Sequence, residues 1–227
     1  MFCAEIARQT SDHHRAAESS PFIRDLLAGR LQARAHADLM CALAPVYAAL
    51  EGCVRDNSDD ASVSLFDHRR LDRSERIAAD LAQCGRRVPR DPTLPAVSDY
   101  VCVIESSATS PQRLLAHHYT RYRGDMAGGQ VIASMLRRHY GVGPEALTFY
   151  DFSDLGDTVH YRRRYKTLLD LVPWSPSEQA EFIAECQVAF MCNAEVFGQL
   201  GEHVGATPSG AHGAGGFLRR ERQHLPT

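Results

Sequence analysis

The chain has 227 residues, of which 44% are hydrophobic, enough to bury the core of a single domain. Its formal net charge of −3 excludes the bulk basic excess of many nucleic-acid-binding proteins, so we expect no nucleic-acid partner. The seven cysteines include no CxxC pair, which argues against zinc-ribbon and thioredoxin-like sites and fits reduced thiols in a cytoplasmic protein.

The N-terminal third predicts three helices. Residues at helical spacing predict helices over 3–18 and 31–53. Between them, Ser20 and Pro21 predict the cap and first turn of a short helix that ends near Gly29. The first residues lack the apolar run of a signal peptide, and we expect no stretch long and apolar enough to span a membrane.

The middle of the chain gives mixed signals. The polar residues 55–64 predict a surface loop, and Ser74 is expected to cap a helix that Gly85 closes. Segment 97–105 is ambiguous, because its valines suit a strand as well as a helix.

The C-terminal half predicts two long helices. Ser110 starts one that runs through the glycines at 124–129 to His139. Ser175 and Glu178 form a capping box that opens another.

Strands and helices do not alternate along the chain, so we predict an all-α, single-domain, multi-helix fold over residues 1–206. Residues 207–227, Gly-rich and then basic, are expected to form a poorly ordered tail.

Thr10, His14 and Glu18 are four residues apart and therefore share one helix face. A metal-ligating imidazole usually donates its second N–H to an acceptor, and Glu18 is placed to accept from His14. A solvated surface pair worth about 0.2–0.5 kcal/mol has the same spacing and is the favoured interpretation on this motif alone.

Three glycines, Gly124, Gly128 and Gly129, lie inside the predicted helix that contains YTRYRGDMAGGQ. Each costs about 1 kcal/mol relative to alanine. A helix crossing or a loop would explain them, and so would close approach of the backbone to a flat ligand. Asp125 favours the ligand, because a packing crossing has no use for a carboxylate that can organise water.

These two segments resemble a known family. QTSDHHRAAESSPFIRDLLAGRL is similar to the proximal-helix signature of heme oxygenases, and YTRYRGDMAGGQVIASMLRRHYG resembles their distal-helix signature. VYAALE (46–51) and AFMCNAEVFGQL (189–200) match two further family segments, so the resemblance covers roughly residues 5–203.

The resemblance implies a fold in which haem b, both cofactor and substrate, lies between a proximal and a distal helix. It implies degradation of haem with O2 to biliverdin, carbon monoxide and ferrous iron. The electrons would come from a separate reductase such as a flavodoxin, a ferredoxin or a flavin reductase. We expect a monomer.

The resemblance also implies roles for individual residues. His14 would bind the haem iron with Glu18 as its partner, and the three glycines would form the distal wall. Asp125 would hold water near bound oxygen, supported by residues at three further matching positions: Tyr47, Arg121 and Asn193.

The propionate positions depart from the family pattern. Tyr119, Arg162 and Lys166 match residues expected at the propionates, but the usual Lys-then-Arg order is reversed, and Ala7 replaces a frequent basic residue. In the distal motif, Met126 and the alanine after it replace the common Leu-Ser pair.

Two alternatives stay open at this point. The fold could carry haem, as a carrier or sensor, without degrading it. It could also be a helical enzyme of similar architecture that uses no haem, such as a thiaminase-like protein. Asp125 argues against the first, because a carrier needs no distal proton relay.

Overall fold

The computed structural model describes residues 1–66 and 68–205, which form nine α-helices and no strand. The all-α prediction is therefore confirmed. The helices are α1 (Phe2–Glu18), α2 (Pro21–Leu27), α3 (Ala35–Asp56), α4 (His68–Leu71), α5 (Ser74–Gln83), α6 (Pro95–Ser107), α7 (Pro111–Tyr140), α8 (Thr158–Leu171) and α9 (Pro176–Val204). The predicted tail, residues 207–227, lies outside the described residues.

Local sequence signals fix several helix ends. The hydroxyls of Ser20 and Ser110 accept the backbone N–H three residues on, which confirms both predicted caps. Ser175 and Glu178 form the reciprocal capping box that the sequence predicts. Gly85 follows α5 with φ of +68°, a left-handed conformation that ends the helix at low cost.

Tertiary contacts determine the structure of two segments for which the local sequence signals were weak or misleading. Ser74 does not cap α5 with its side chain; the carboxylate of Glu51, from α3, accepts the backbone N–H groups of Arg73 and Ser74 at 2.6 and 3.0 Å. The predicted surface loop 55–64 was wrong at both ends, because α3 runs to Asp56 and Val63 is fully buried.

The ambiguous segment 97–105 is helical. Val97, Tyr100 and Ile104 are all buried, and their spacing of three and four residues is that of one helix face, not of a strand. The valines therefore serve the core through helical periodicity.

The long helices α7 and α9 pack against each other, and α1 and α2 pack on α9. On the other side, α3 packs against α5, α6 and α7. Both α1 and α7 thus lean on α9, and the principal cavity opens between them.

Helix α3 corrects one expectation. It is long and apolar enough to cross a membrane by length and composition, although we expected no such segment. Of its apolar window, 72% is buried inside the fold. Its hydrophobicity is explained by the helices packed around it, as in the core helix of a helical domain.

Candidate functional site

The cavity has a volume of about 510 Å³, within the range of roughly 300–1,000 Å³ typical of small-molecule sites. Its wall is mostly apolar, with a few polar groups from α1, α7 and α9. The apolar side chains include Ile23, Leu27, Leu39, Leu43, Phe149, Phe190 and Phe197. A large apolar cavity with few polar groups suits a flat hydrophobic ligand that needs orientation at particular points.

His14 stands on the α1 wall. Its side chain is 49% exposed, and its Nδ1 lies 3.3 Å from a carboxylate oxygen of Glu18. The ring of Phe190 packs edge-on against it, with centroids 5.4 Å apart. A carboxylate beside Nδ1 favours the N–H at that nitrogen and leaves the Nε2 lone pair for a metal. The neighbouring His13 instead has a buried Nδ1 that finds no hydrogen-bond partner in the part of the chain that the structure describes.

The glycines on the opposite wall serve two purposes. Gly124 and Gly128 line the cavity, and a Cβ built on either would meet no atom of the described residues within 4 Å. The α7 backbone itself is therefore the wall there. Gly129 is different, because its Cβ would lie 3.1 Å from a ring carbon of Tyr150, closer than packing comfortably allows.

Asp125 is the acid on this wall, with 12% of its side chain exposed. The buried hydroxyl of Tyr47 donates a hydrogen bond to one of its carboxylate oxygens, and Arg121 lies 3.5 Å from the other. Arg121 also donates to the Tyr47 hydroxyl at 2.9 and 3.1 Å and to the amide oxygen of Asn193. Residues from α3, α7 and α9 therefore hold one carboxylate in place.

Burial dominates the electrostatics of this network. It raises the pKa of Asp125 above the usual aspartate value, although Arg121 and Tyr47 lower that pKa in part. Burial also raises the pKa of Tyr47, which keeps the phenol protonated as a donor. Burial lowers the pKa of Arg121, but the neighbouring Tyr47 and Asp125 outweigh this and raise it, so the guanidinium stays charged.

A turn before α8 completes the wall. Phe149 and Tyr150 line the cavity, and the buried carboxylate of Asp80 accepts the backbone N–H groups of Thr148 and Phe149 at 2.8 and 2.9 Å. The buried guanidinium of Arg73 donates to the carbonyl of residue 151 at 2.7 Å. Two distant ionic side chains thus fix the segment against the glycines.

Comparison with known proteins agrees with this geometry. The family model for heme oxygenase matches residues 1–199. The chain belongs to the heme oxygenase family. It is 30% identical to the heme oxygenase of Guillardia theta over 200 residues, which cover 86% of this chain and 84% of that protein.

Solved heme oxygenases share its fold. The enzyme from Leptospira interrogans superposes with a TM-score of 0.82 at 30% identity, covering 87% of this chain and 98% of that one. Heme oxygenase-1 of Synechocystis sp. PCC6803, solved in complex with heme, gives 0.83 at 25% identity, covering 89% and 93%.

Of the residues expected at the site of this heme oxygenase, most line the cavity or touch a residue that does. His14, Glu18, Tyr119, Arg121, Gly124, Asp125, Gly128, Gly129 and Asn193 line it, and Tyr47 lies behind Asp125. Met126 does not reach the cavity; it is 2% exposed in the core, turned away by the helical period.

The two basic residues expected at the propionates are not among the lining residues either. Lys166 is exposed on α8, and the Arg162 guanidinium donates to the carbonyl of Thr158 in its own helix at 3.4 Å. Arg123, which the sequence reasoning passed over, does line the cavity. Its charge directly before Gly124, at the start of the glycine-containing part of α7, was the available signal.

Proposed function

We propose that this chain binds haem in the α1–α7 cavity, with His14 as the iron ligand. It cleaves the haem to biliverdin, carbon monoxide and ferrous iron. O2 and electrons from a separate reductase are the co-reactants; a flavodoxin, a ferredoxin or a flavin reductase fits that role. We expect the protein to act as a cytoplasmic monomer with residues 1–206 as its domain.

One observation carries the proposal. His14 and Asp125 line the same cavity, one on α1 and the other on α7, and side-chain-free glycines flank the acid. A macrocycle bound through its metal to His14 would lie against the bare α7 backbone at Gly124 and Gly128. The Glu18 carboxylate at Nδ1 provides the partner that such a ligand requires.

Bound haem supplies the iron that takes up O2 and electrons, and the ring that is cleaved. The chain's own residues act on protons and water. Tyr47 and Arg121 restrain the Asp125 carboxylate, whose remaining lone pairs can accept hydrogen bonds from water in the cavity. Burial raises the pKa of Asp125 in the direction of neutral pH, which favours the use of this carboxyl group in proton delivery through that water.

The apolar wall performs a second task. Phe149, Phe190 and Phe197 make much of the cavity lining apolar, so they offer water few hydrogen-bond partners, whereas the Asp125 network on α7 can hold water. Water held there would deliver protons from the α7 side of the cavity, opposite His14.

A haem carrier or sensor on the same fold is the alternative. The buried Tyr47–Arg121–Asp125 network weighs against it, because storage and sensing need no fixed carboxylate near the open face of the ligand.

In the deciding experiment, the protein is titrated with haemin and a reductant such as ascorbate is then added under air, while the Soret band is followed. We expect a 1:1 complex whose Soret band disappears while a bile pigment forms. A stable Soret band without pigment would favour the carrier, and failure to bind haemin would favour a helical enzyme that uses no haem.

A further inference from the structure

Arg123 brings a positive charge to a wall that is otherwise mostly apolar or glycine. Its Nη1 donates to the hydroxyl of Tyr119 at 2.8 Å, and its guanidinium carbon lies 5.3 Å from the centre of the Tyr119 ring. Both residues line the cavity, one helical turn apart on α7. Tyr119 therefore holds the guanidinium of Arg123 at the cavity edge.

Among the described residues, the remaining donors of Arg123 have no hydrogen-bond partner. Its Nε is buried and makes no hydrogen bond, and within the described residues no carboxylate lies within 4.0 Å of the guanidinium. With Nη1 committed to Tyr119, Nη2 is the donor left to meet a carboxylate, and a small rotation of the side chain would bring Nε into a second, parallel hydrogen bond to it. Leaving a buried charged donor unpaired is unfavourable, so this edge calls for an anion.

The other arginine on the α7 wall, Arg121, already uses its donors in hydrogen bonds within the protein. Arg121 is bound by Tyr47, Asn193 and Asp125 and has no free edge to offer. The basic residues of α8 do not line the cavity, and position 7, on α1, is alanine. A ligand carboxylate inside the cavity would therefore meet Arg123 first.

Arg123 fits the edge of the cavity at which the propionates are expected. At this propionate edge, α8, which carries Lys166, packs on α1. The pKa of the Cys3 thiol on α1 is raised to about 12, chiefly by burial, and the charges of Lys166 and Arg123 both oppose that rise. Both cations thus act near the same end of α1. The acid at this end, Asp170, accepts the backbone N–H of Cys3 at 2.8 Å.

We infer that Arg123, held by Tyr119, binds a propionate carboxylate of haem and so sets the rotation of haem in the cavity and the meso carbon that is cleaved. This inference rests on the proposed function. It assigns to a cation on α7, beside Tyr119, the charge contact that the resemblance had placed on Arg162 and Lys166 of α8.

The test compares haem with haem dimethyl ester, which lacks the carboxylate charges, by Soret titration of the full chain. We expect Arg123→Gln to weaken haem binding about tenfold, the loss of one charge-assisted contact, and to leave ester binding unchanged. Arg123→Lys should restore part of the affinity for haem. Arg138→Gln, an exposed arginine on the same helix, is the matched control.

The same variants are then turned over and their biliverdin isomers separated. Arg123→Gln should change the isomer ratio, and Arg138→Gln should not. Unchanged haem affinity in Arg123→Gln, or equal weakening of haem and ester, would overturn the inference. Wild-type protein that binds haem but forms no pigment would instead refute the proposed function, while the titrations would still test Arg123.

Discussion

The two walls of the cavity are built in opposite ways. On α1, the side chains of His14 and Glu18 are 49% and 63% exposed, four residues apart, and paired with each other within one helix. On α7, Asp125 is nearly buried and depends on Tyr47 from α3. The α1 wall is a local device on an exposed helix face, whereas the α7 wall is a tertiary network. Removing a group from the first should change ligation alone; removing one from the second should also cost stability.

His14→Ala should have the largest effect. We expect pigment formation to fall at least about 100-fold, because the iron loses its protein ligand, while the free energy of unfolding changes by no more than about 0.5 kcal/mol at this exposed position. Haem spectra, turnover and urea unfolding measure these effects. His13→Ala is the matched control, and a variant at His14 with an unchanged ligand-field spectrum would contradict the assignment.

Asp125→Asn should separate binding from chemistry. The amide keeps the size of the carboxylate but cannot deliver a proton, so we expect biliverdin yield per bound haem to fall about 10- to 100-fold with haem affinity nearly unchanged. Single-turnover assays with quantified pigment measure this. A normal yield would show that the acid is not needed.

Glu185 belongs to a second group of ionic side chains, which lies behind the Tyr47–Arg121–Asp125 network, and substituting it tests how much that group stabilises the fold. Its carboxylate accepts from His117 and Arg113, each at 2.9 Å, and the His117 ring lies 5.6 Å from that of Tyr100, whose hydroxyl accepts from Asn193. Burial raises the pKa of Glu185, but the two donors lower it more, to about 2 from an ordinary 4.5.

A depressed folded-state pKa contributes stability above the unfolded value, and that stability is lost as the pH falls from about 4.5 towards about 2. Glu185→Gln should therefore lower the free energy of unfolding at neutral pH by about 2–3 kcal/mol and flatten its acid dependence in this window. Urea unfolding between pH 2 and pH 7 measures both. A variant as acid-sensitive as the wild type would refute the ionised pair.

Glu18→Gln should have the smallest effect. The amide still offers an oxygen acceptor to Nδ1 of His14, so haem should bind with at most a few-fold change in affinity and unaltered protein stability. A modest shift in the reduction potential of the haem complex is the expected signature, since the carboxylate tunes ligand basicity. A loss of haem binding would mean that Glu18 does more than orient the imidazole.

The same contrast between local and tertiary features explains which parts of the fold and the site could be predicted from the sequence. His14 and Glu18, the serine caps and the α7 glycines are local patterns, and each is visible in the sequence alone. The cap of α5 by Glu51 and the fixing of the 148–150 turn by Asp80 join residues more than 20 positions apart, so no local pattern announces them.

The propionate edge shows a further limit. Arg162 was expected at the cavity because of its position in the resemblance, whereas Arg123 offered only a charge in an unusual place. Which cation faces the cavity depends on the rotation and packing of α7 and α8, and the sequence alone does not specify that geometry.

The central claim, that α1 holds the iron and α7 directs the oxygen, is tested most directly by imidazole rescue. Pigment formed per bound haem is measured for His14→Ala and Asp125→Asn with and without added imidazole. We predict that imidazole, entering beside the truncated α1 residue, restores turnover to His14→Ala and leaves Asp125→Asn at its reduced yield. The division between the two walls would be contradicted if imidazole restored neither haem ligation nor turnover to His14→Ala. Full turnover by Asp125→Asn would contradict it as well.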